Sequence, residues 1–78
     1  MDYDKFYKWL VSNKQMSNRS AKDVLSRCKR VCRITGSSQI DSNTDSIIEK
    51  NPEFNNCSIF IKSQLKRAVA LHNEFLKG

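Results

Sequence analysis

Apolar residues recur at steps of three and four between residues 21 and 32, and this spacing constrains the fold of the chain more than any other feature. Ser17 or Asn18 can cap a helix that carries this spacing, because a side-chain oxygen there accepts from a free first-turn N–H. Gly36 can end it, since glycine readily adopts the left-handed conformation found at helix C-termini. We therefore predict a helix from about residue 18 to residue 35. Its predicted inward residues are Ala21, Val24, Leu25, Cys28, Val31 and Cys32.

The first and last segments of the chain show the same helical periodicity. We predict a first helix from about Asp4 to Asn13, and a long final helix that follows a cap at Asn56 or Ser58 and runs to about Lys77. The first helix packs through Phe6, Trp9 and Leu10. The final helix has a broad apolar face made of Ile61, Leu65, Ala68, Val69, His72, Phe75 and Leu76. Because that face is broad, we expect it to contact more than one neighbour.

The segment between the second and final helices is acidic and holds four of the eight Asp and Glu residues. It predicts one short helix, from a cap at Ser42 or Asn43 to about Lys50. Pro52 is expected to end this helix, because the residue before a proline is pushed out of the helical region. The two residues expected to be buried are Ile47 and Ile48.

Two glycines and one proline in 78 residues leave few chain breakers, which favours helices over a hairpin-rich sheet. A chain of this length forms one small domain, close to the lower limit for a core that is stable by itself. The predicted fold is therefore all-α: a single domain over residues 1–78, built as a small bundle of four helices with a short third helix.

The net charge of +6 points to a polyanionic partner, with nucleic acid the leading candidate. The charge is polarised along the chain: +5 over residues 18–35, −3 over 36–57 and +3 over 58–78. On a helical wheel most cations of the second helix form a basic stripe opposite its apolar face. Arg27 lies off this basic stripe. The predicted DNA-phosphate contacts are Arg19, Lys22, Lys29, Arg30, Arg33, Lys62, Lys66 and Arg67. The predicted contacts to base edges are shorter polar residues: Asn18, Ser26, Ser63 and Gln64.

Two other interpretations of the charge remain open. A basic helix face is often only a solvated surface that keeps a small protein in solution. Alternatively, the chain is a small helical protein-interaction module, whose basic helix docks an acidic partner or whose acidic middle segment docks a basic one.

The three cysteines and the single histidine are the candidate metal-binding or catalytic groups of the chain. An odd number of cysteines in a chain without a secretory segment favours reduced thiols. No apolar run is long enough for a membrane span or a signal peptide. We therefore expect a cytoplasmic protein without a membrane partner. Cys28, Cys32, Cys57 and His72 lack zinc-finger spacing, and both helix cysteines lie in an apolar stripe. We expect buried thiols, a histidine at the edge of the core, no metal, no cofactor and no catalytic triad.

The aromatic residues could either fill the core or stack on nucleic-acid bases. Helical spacing favours the core for most of them, and Tyr7, on the flank of its helix, stays open between the two roles. The set is Phe6, Tyr7, Trp9, Phe54, Phe60 and Phe75.

Three stretches, "FYKWL", "MSNRSAKDVLSRCKRV" and "SIFIKSQLKRAVALHNEFL", resemble the N-terminal core-binding domain of tyrosine recombinases and phage integrases, a SAM-like helical module. The resemblance covers nearly the whole chain. Its matching positions are Phe6, Trp9, Leu10, Ser17, Ser20, Ser58, Leu65, Lys66, Arg67, Phe75 and Leu76.

The resemblance implies a four-helix domain that clamps duplex DNA, with its second and fourth helices toward the major groove, and a role in DNA integration or recombination. Two departures stand out. Ser20 is followed by Val24, where the family often has Thr and an aromatic residue. The catalytic domain of the family, with its Arg, His and nucleophilic Tyr, has no counterpart, and Tyr3 and Tyr7 lie in the wrong domain to serve. We therefore expect no enzymatic activity from this chain alone. The chain is then either an excised fragment of a recombinase or a free-standing relative.

Overall fold

The computed structural model describes residues 2–77, and over these residues the chain folds into helices without a strand. This confirms the predicted all-α class, but the described part holds five helices where four were predicted. The helices are α1 (Tyr3–Asn13), α2 (Asn18–Thr35), α3 (Thr44–Glu49), α4 (Pro52–Asn55) and α5 (Ile59–Lys77).

The additional helix, α4, arises because Pro52 starts a helical turn. We predicted only that Pro52 ends the third helix, and that helix does end before it, at Glu49. Proline is well suited to the first position of a helix, where its missing N–H has no intrahelical acceptor. The Asn51 side chain caps α4 by accepting from its first-turn N–H groups. As a result Phe54, which is 3% exposed, packs into the core from a four-residue helix.

The predicted ends of the long helices are confirmed by their caps. Ser17 Oγ accepts from the backbone N–H of Ser20 at 3.1 Å and starts α2. Gly36 ends α2 in the left-handed conformation, with φ of 70°. At the start of α5, Ser58 Oγ accepts from the N–H of Ile61 at 3.2 Å. These local bonds satisfy backbone groups that the helices leave free at their ends.

The core lies where α1, α2 and α5 meet. The helix α2 packs mainly against α5, and α1 packs against both, while α3 and α4 cover the far end of α2 and α5. The buried hydrophobic residues are Phe6, Leu10, Ala21, Val24, Cys28, Val31, Ile34, Ile40, Ile48, Phe54, Leu65, Ala68, Val69 and Leu71.

Three residues expected in the core are exposed instead. Ile47 is 52% exposed because α3 turns Ile48 inward, and its neighbour then points about 100° away. Phe60 is 78% exposed, since it lies about 140° around α5 from the buried Leu65. Leu76 is 58% exposed because it lies in the last turn of α5, beside an open cavity. Helical spacing by itself therefore overestimated the buried face of α3 and α5.

Within residues 2–77, each helix is too short or too polar to cross a membrane.

Candidate nucleic-acid interface

The cations of α2 form no ion pair among the described residues. Among residues 2–77, ion pairs form between Lys8 and Asp4, between Lys14 and Glu74 and between Lys66 and Glu49, and none of them involves α2. The helix carries six cations and one acid, Asp23. Five of the cations are exposed and Arg27 is half-buried. The six are Arg19, Lys22, Arg27, Lys29, Arg30 and Arg33.

Two of the lysines predicted to contact DNA phosphates, Lys22 and Lys29, lie on the flank of α2 that faces α1. The Lys29 ammonium lies 5.2 Å from the centre of the Tyr3 ring. Lys22 lines a shallow cavity with Tyr3 and Tyr7. A cation over an aromatic face is weakly attracted by the ring and still reaches solvent. This flank therefore holds lysines that remain accessible to an external anion.

The predicted lysines of α5 face the acidic segment. Lys66 binds Glu49 of α3 through its ammonium group. The hydrogen bond between the two side chains raises the pKa of Lys66 and lowers the pKa of Glu49. The Lys62 ammonium lies 5.9 Å from the centre of the Phe54 ring in α4. Both lysines are half-buried, so they are less available to a partner than the cations of α2.

A third group of cations lines the groove between α2 and α5, and we call it the arginine groove: Arg27, Arg30 and Arg67. The groove contains two adjoining cavities of about 310 and 220 Å³, and Arg27 and Asp23 line both. Arg67 lies at one of these cavities and Arg30 at the other. Guanidinium groups clustered along one open groove form a site for phosphate or carboxylate groups.

Arg27 lies off the predicted basic stripe of α2, yet in the structure it lines both cavities of the arginine groove. Arg27 lies on the flank of α2 that turns toward α5, whereas Lys22 lies on the opposite flank. The periodicity of one helix shows which residues are polar but not which neighbour flanks them. Six of the eight predicted cations consequently divide in pairs among three surfaces: Lys22 and Lys29 on the α1 flank, Lys62 and Lys66 toward α3 and α4, and Arg30 and Arg67 in the arginine groove. The other two, Arg19 and Arg33, are exposed on α2 outside these groups.

Four residues were predicted to contact base edges. Two of them, Ser26 and Gln64, line the arginine groove. Ser63 is exposed on α5. Asn18 is engaged within the protein, because its Oδ1 accepts from the Tyr7 hydroxyl at 2.7 Å. Tyr7, whose role the sequence left open, therefore ties α1 to the start of α2.

Of the three thiols that we expected to be buried, Cys28 is buried, whereas Cys32 and Cys57 are half-buried. Burial, with a contribution from Cys32, raises the pKa of Cys28 to about 12. The Cys57 thiol accepts from Arg30 Nη2 at 3.8 Å. His72 is only 3% exposed, so it lies in the core rather than at its edge. Within residues 2–77, His, Cys, Asp and Glu side chains form no group of three that could hold a metal ion.

His72 is surrounded by aromatic rings. Its ring meets the Phe6 ring edge to face, with 4.9 Å between their centres, and Phe75 lies 5.9 Å away. The Nδ1 atom of His72 is buried and has no hydrogen-bond partner within residues 2–77. Burial lowers the pKa of His72, because desolvation disfavours the charged imidazolium.

No protein-family model, curated protein or solved structure matches this chain.

Proposed function

We propose that this chain binds duplex DNA as a helical module of the kind found in the core-binding domains of tyrosine recombinases and phage integrases. The observation that carries the proposal is the set of six cations on α2, none of which forms an ion pair among the described residues. The helix packs beside α5, which adds Arg67 to the same groove. Arg27, Arg30 and Arg67 of the two helices thus line one groove, together with the single acid Asp23.

Phosphates are the partner that best matches this surface. Each Lys or Arg near the DNA backbone releases condensed counterions, and this release drives binding. An α-helix fits the major groove, so α2 could lie there with its cations on the flanking phosphates. Ser26 and Gln64 line the arginine groove, and in this proposal they contact base edges. Binding by one such module is expected to be weak and sensitive to salt, and a tethered catalytic domain would raise its effective concentration.

The test is a fluorescence-anisotropy titration of a labelled DNA duplex across a salt series. Three variants each remove three positive charges. One changes the arginine groove (Arg27→Gln, Arg30→Gln, Arg67→Gln). The second changes the α1 flank and the end of α2 (Lys22→Gln, Lys29→Gln, Arg33→Gln). The control changes exposed lysines elsewhere (Lys5→Gln, Lys50→Gln, Lys77→Gln).

We expect the first two variants to bind more weakly and to flatten the slope of log affinity against log salt by about one unit for each lost contact. The control variant should stay close to the wild type. If the control loses as much affinity as the others, binding reflects net charge and not this surface. If the wild type binds no duplex at the lowest salt, the proposal fails.

A second candidate function is docking of an acidic protein. The observation that favours it is the exposed apolar pair at the start of α5, Ile59 at 82% and Phe60 at 78% exposure, on the helix that carries Arg67. Competition separates the two functions. Polyglutamate at matched charge concentration should displace an acidic protein partner efficiently but duplex DNA poorly, because it lacks the helical phosphate spacing of DNA.

A further inference from the structure

An exposed aromatic ring lies at one end of the arginine groove. Phe60 is four residues before Gln64 and seven before Arg67, so the three side chains share one face of α5. Gln64 and Arg67 both line the groove. Because α2 and α5 run in opposite directions here, with Arg27 beside Arg67 and Arg30 beside Ile61, Phe60 lies at the Arg30 end.

The core does not account for this ring. Phe54 and Phe6 are buried, whereas Phe60 is 78% exposed and its neighbour Ile59 is 82% exposed. The Phe60 ring makes no close pairing with another aromatic ring among the described residues. Its face is therefore open to an external planar group.

We propose that the arginine groove and Phe60 together bind unpaired nucleotides: the arginines hold successive phosphates of a single strand, and the Phe60 ring stacks on a base. This inference rests on the proposed function, since it takes the partner to be a nucleic acid. A cationic groove beside an aromatic platform is the usual arrangement of single-strand binding surfaces.

The geometry favours a single strand over a duplex at this place. In a duplex both faces of each base are covered by its neighbours, so an exposed ring has no base face to cover unless the stack is opened. In a single strand a base can turn its face to Phe60 while its phosphate remains near Arg30. The two cavities of the arginine groove are open to solvent. This openness suits a strand that lies along the surface better than an enclosed small molecule.

The test compares a labelled oligothymidylate with a duplex of the same length, both titrated with the full chain by fluorescence anisotropy. Phe60→Ala removes the ring, Phe60→Tyr keeps a stacking surface, and Ile59→Ala is the matched control at the adjacent exposed position. Because both positions are exposed, each variant should keep the urea midpoint of the wild type.

We expect Phe60→Ala to weaken oligothymidylate binding roughly tenfold. Phe60→Tyr should restore the affinity, and Ile59→Ala should stay within about twofold of the wild type. Duplex binding should change little in all three variants. This pattern would support stacking of a base on Phe60.

Other outcomes overturn the inference and separate its failure from that of the proposed function. If Phe60→Ala binds oligothymidylate as the wild type does, while the wild type still binds the duplex, the stacking role is wrong and duplex binding stands. If neither nucleic acid binds at low salt, both proposals fail. If Ile59→Ala weakens binding as much as Phe60→Ala, the pair acts as an apolar surface and not as a stacking platform.

Discussion

The thiol of Cys28 lies against the backbone of Ala68, with 3.7 Å between Sγ and the Ala68 carbonyl oxygen. The two residues are 0% and 1% exposed, so small side chains fill the place where α2 crosses α5. Close-packed interiors leave no space for larger groups at such a crossing. The separation of α2 and α5, and with it the width of the arginine groove, depends on these two residues.

Ala68→Leu should destabilise the protein by about 1–3 kcal/mol, because three added carbon atoms must force the two helices apart. Ala70→Leu is the matched control: Ala70 is exposed on the same helix, so its replacement should change the free energy of unfolding by less than about 0.5 kcal/mol. Urea denaturation measures both. Equal effects of the two substitutions would contradict tight packing at the crossing.

Gly36 ends α2 with φ of 70°, and nothing lies within 4 Å of the place where a Cβ would be added. Gly36→Ala should therefore cost about 1–2 kcal/mol through backbone conformation alone and not through a steric clash. Gly36→Asn should cost less, because asparagine tolerates the left-handed region. Thermal or urea unfolding of the two variants tests this order, and an alanine variant as stable as the asparagine variant would refute it.

His72 should make the stability depend on pH. Burial lowers its pKa in the folded state from the ordinary value of 6.5. At pH values between the lowered folded-state pKa and 6.5 the unfolded chain binds more protons than the folded chain, so the free energy of unfolding rises with pH. The stabilisation from the neutral imidazole is complete above about 6.5 and is lost as pH falls from there through the folded-state pKa.

Because His72 is the single histidine of the chain, His72→Gln removes this contribution without affecting another imidazole. The free energy of unfolding, measured in urea from about pH 5 to pH 8, should rise more steeply with pH in the wild type than in the variant. Parallel profiles would show that His72 is equally protonated in the folded and unfolded chains.

Glu49 limits the availability of Lys66. Glu49→Gln breaks the ion pair between α3 and α5 and leaves the Lys66 ammonium free for a phosphate. Duplex affinity should rise, and the salt slope should steepen by up to about one unit. Glu53→Gln is the charge-matched control, since Glu53 is exposed on α4 and forms no ion pair within residues 2–77. The same gain in both variants would mean that only the net charge matters.

The local sequence was sufficient to predict the long helices and their ends. Ser17, Gly36 and Ser58 act through bonds and conformations within a few residues, so their effects could be predicted without knowledge of the fold. The predictions that proved wrong concern short helices and the ends of helices: the missing helix α4 and the expected burial of Ile47, Phe60 and Leu76. Pro52 could either end one helix or begin another, and only the packing of Phe54 into the core gives α4 enough stability to form.

The sequence by itself determined the helical class, most of the buried stripe of α2 and the concentration of positive charge on α2 and α5, because these follow from residue type and a period of 3.6. The predicted stripe left out Ile34, which is buried, and included Leu25 and Cys32, which are half-buried. Only the tertiary structure decided how that charge is distributed in space. It turned Lys22 and Lys29 toward α1, paired Lys66 with Glu49, and placed Arg27 with Arg67 in the arginine groove. The physical reason is that helical periodicity defines the faces of one helix, whereas the neighbour of each face is chosen by long-range packing.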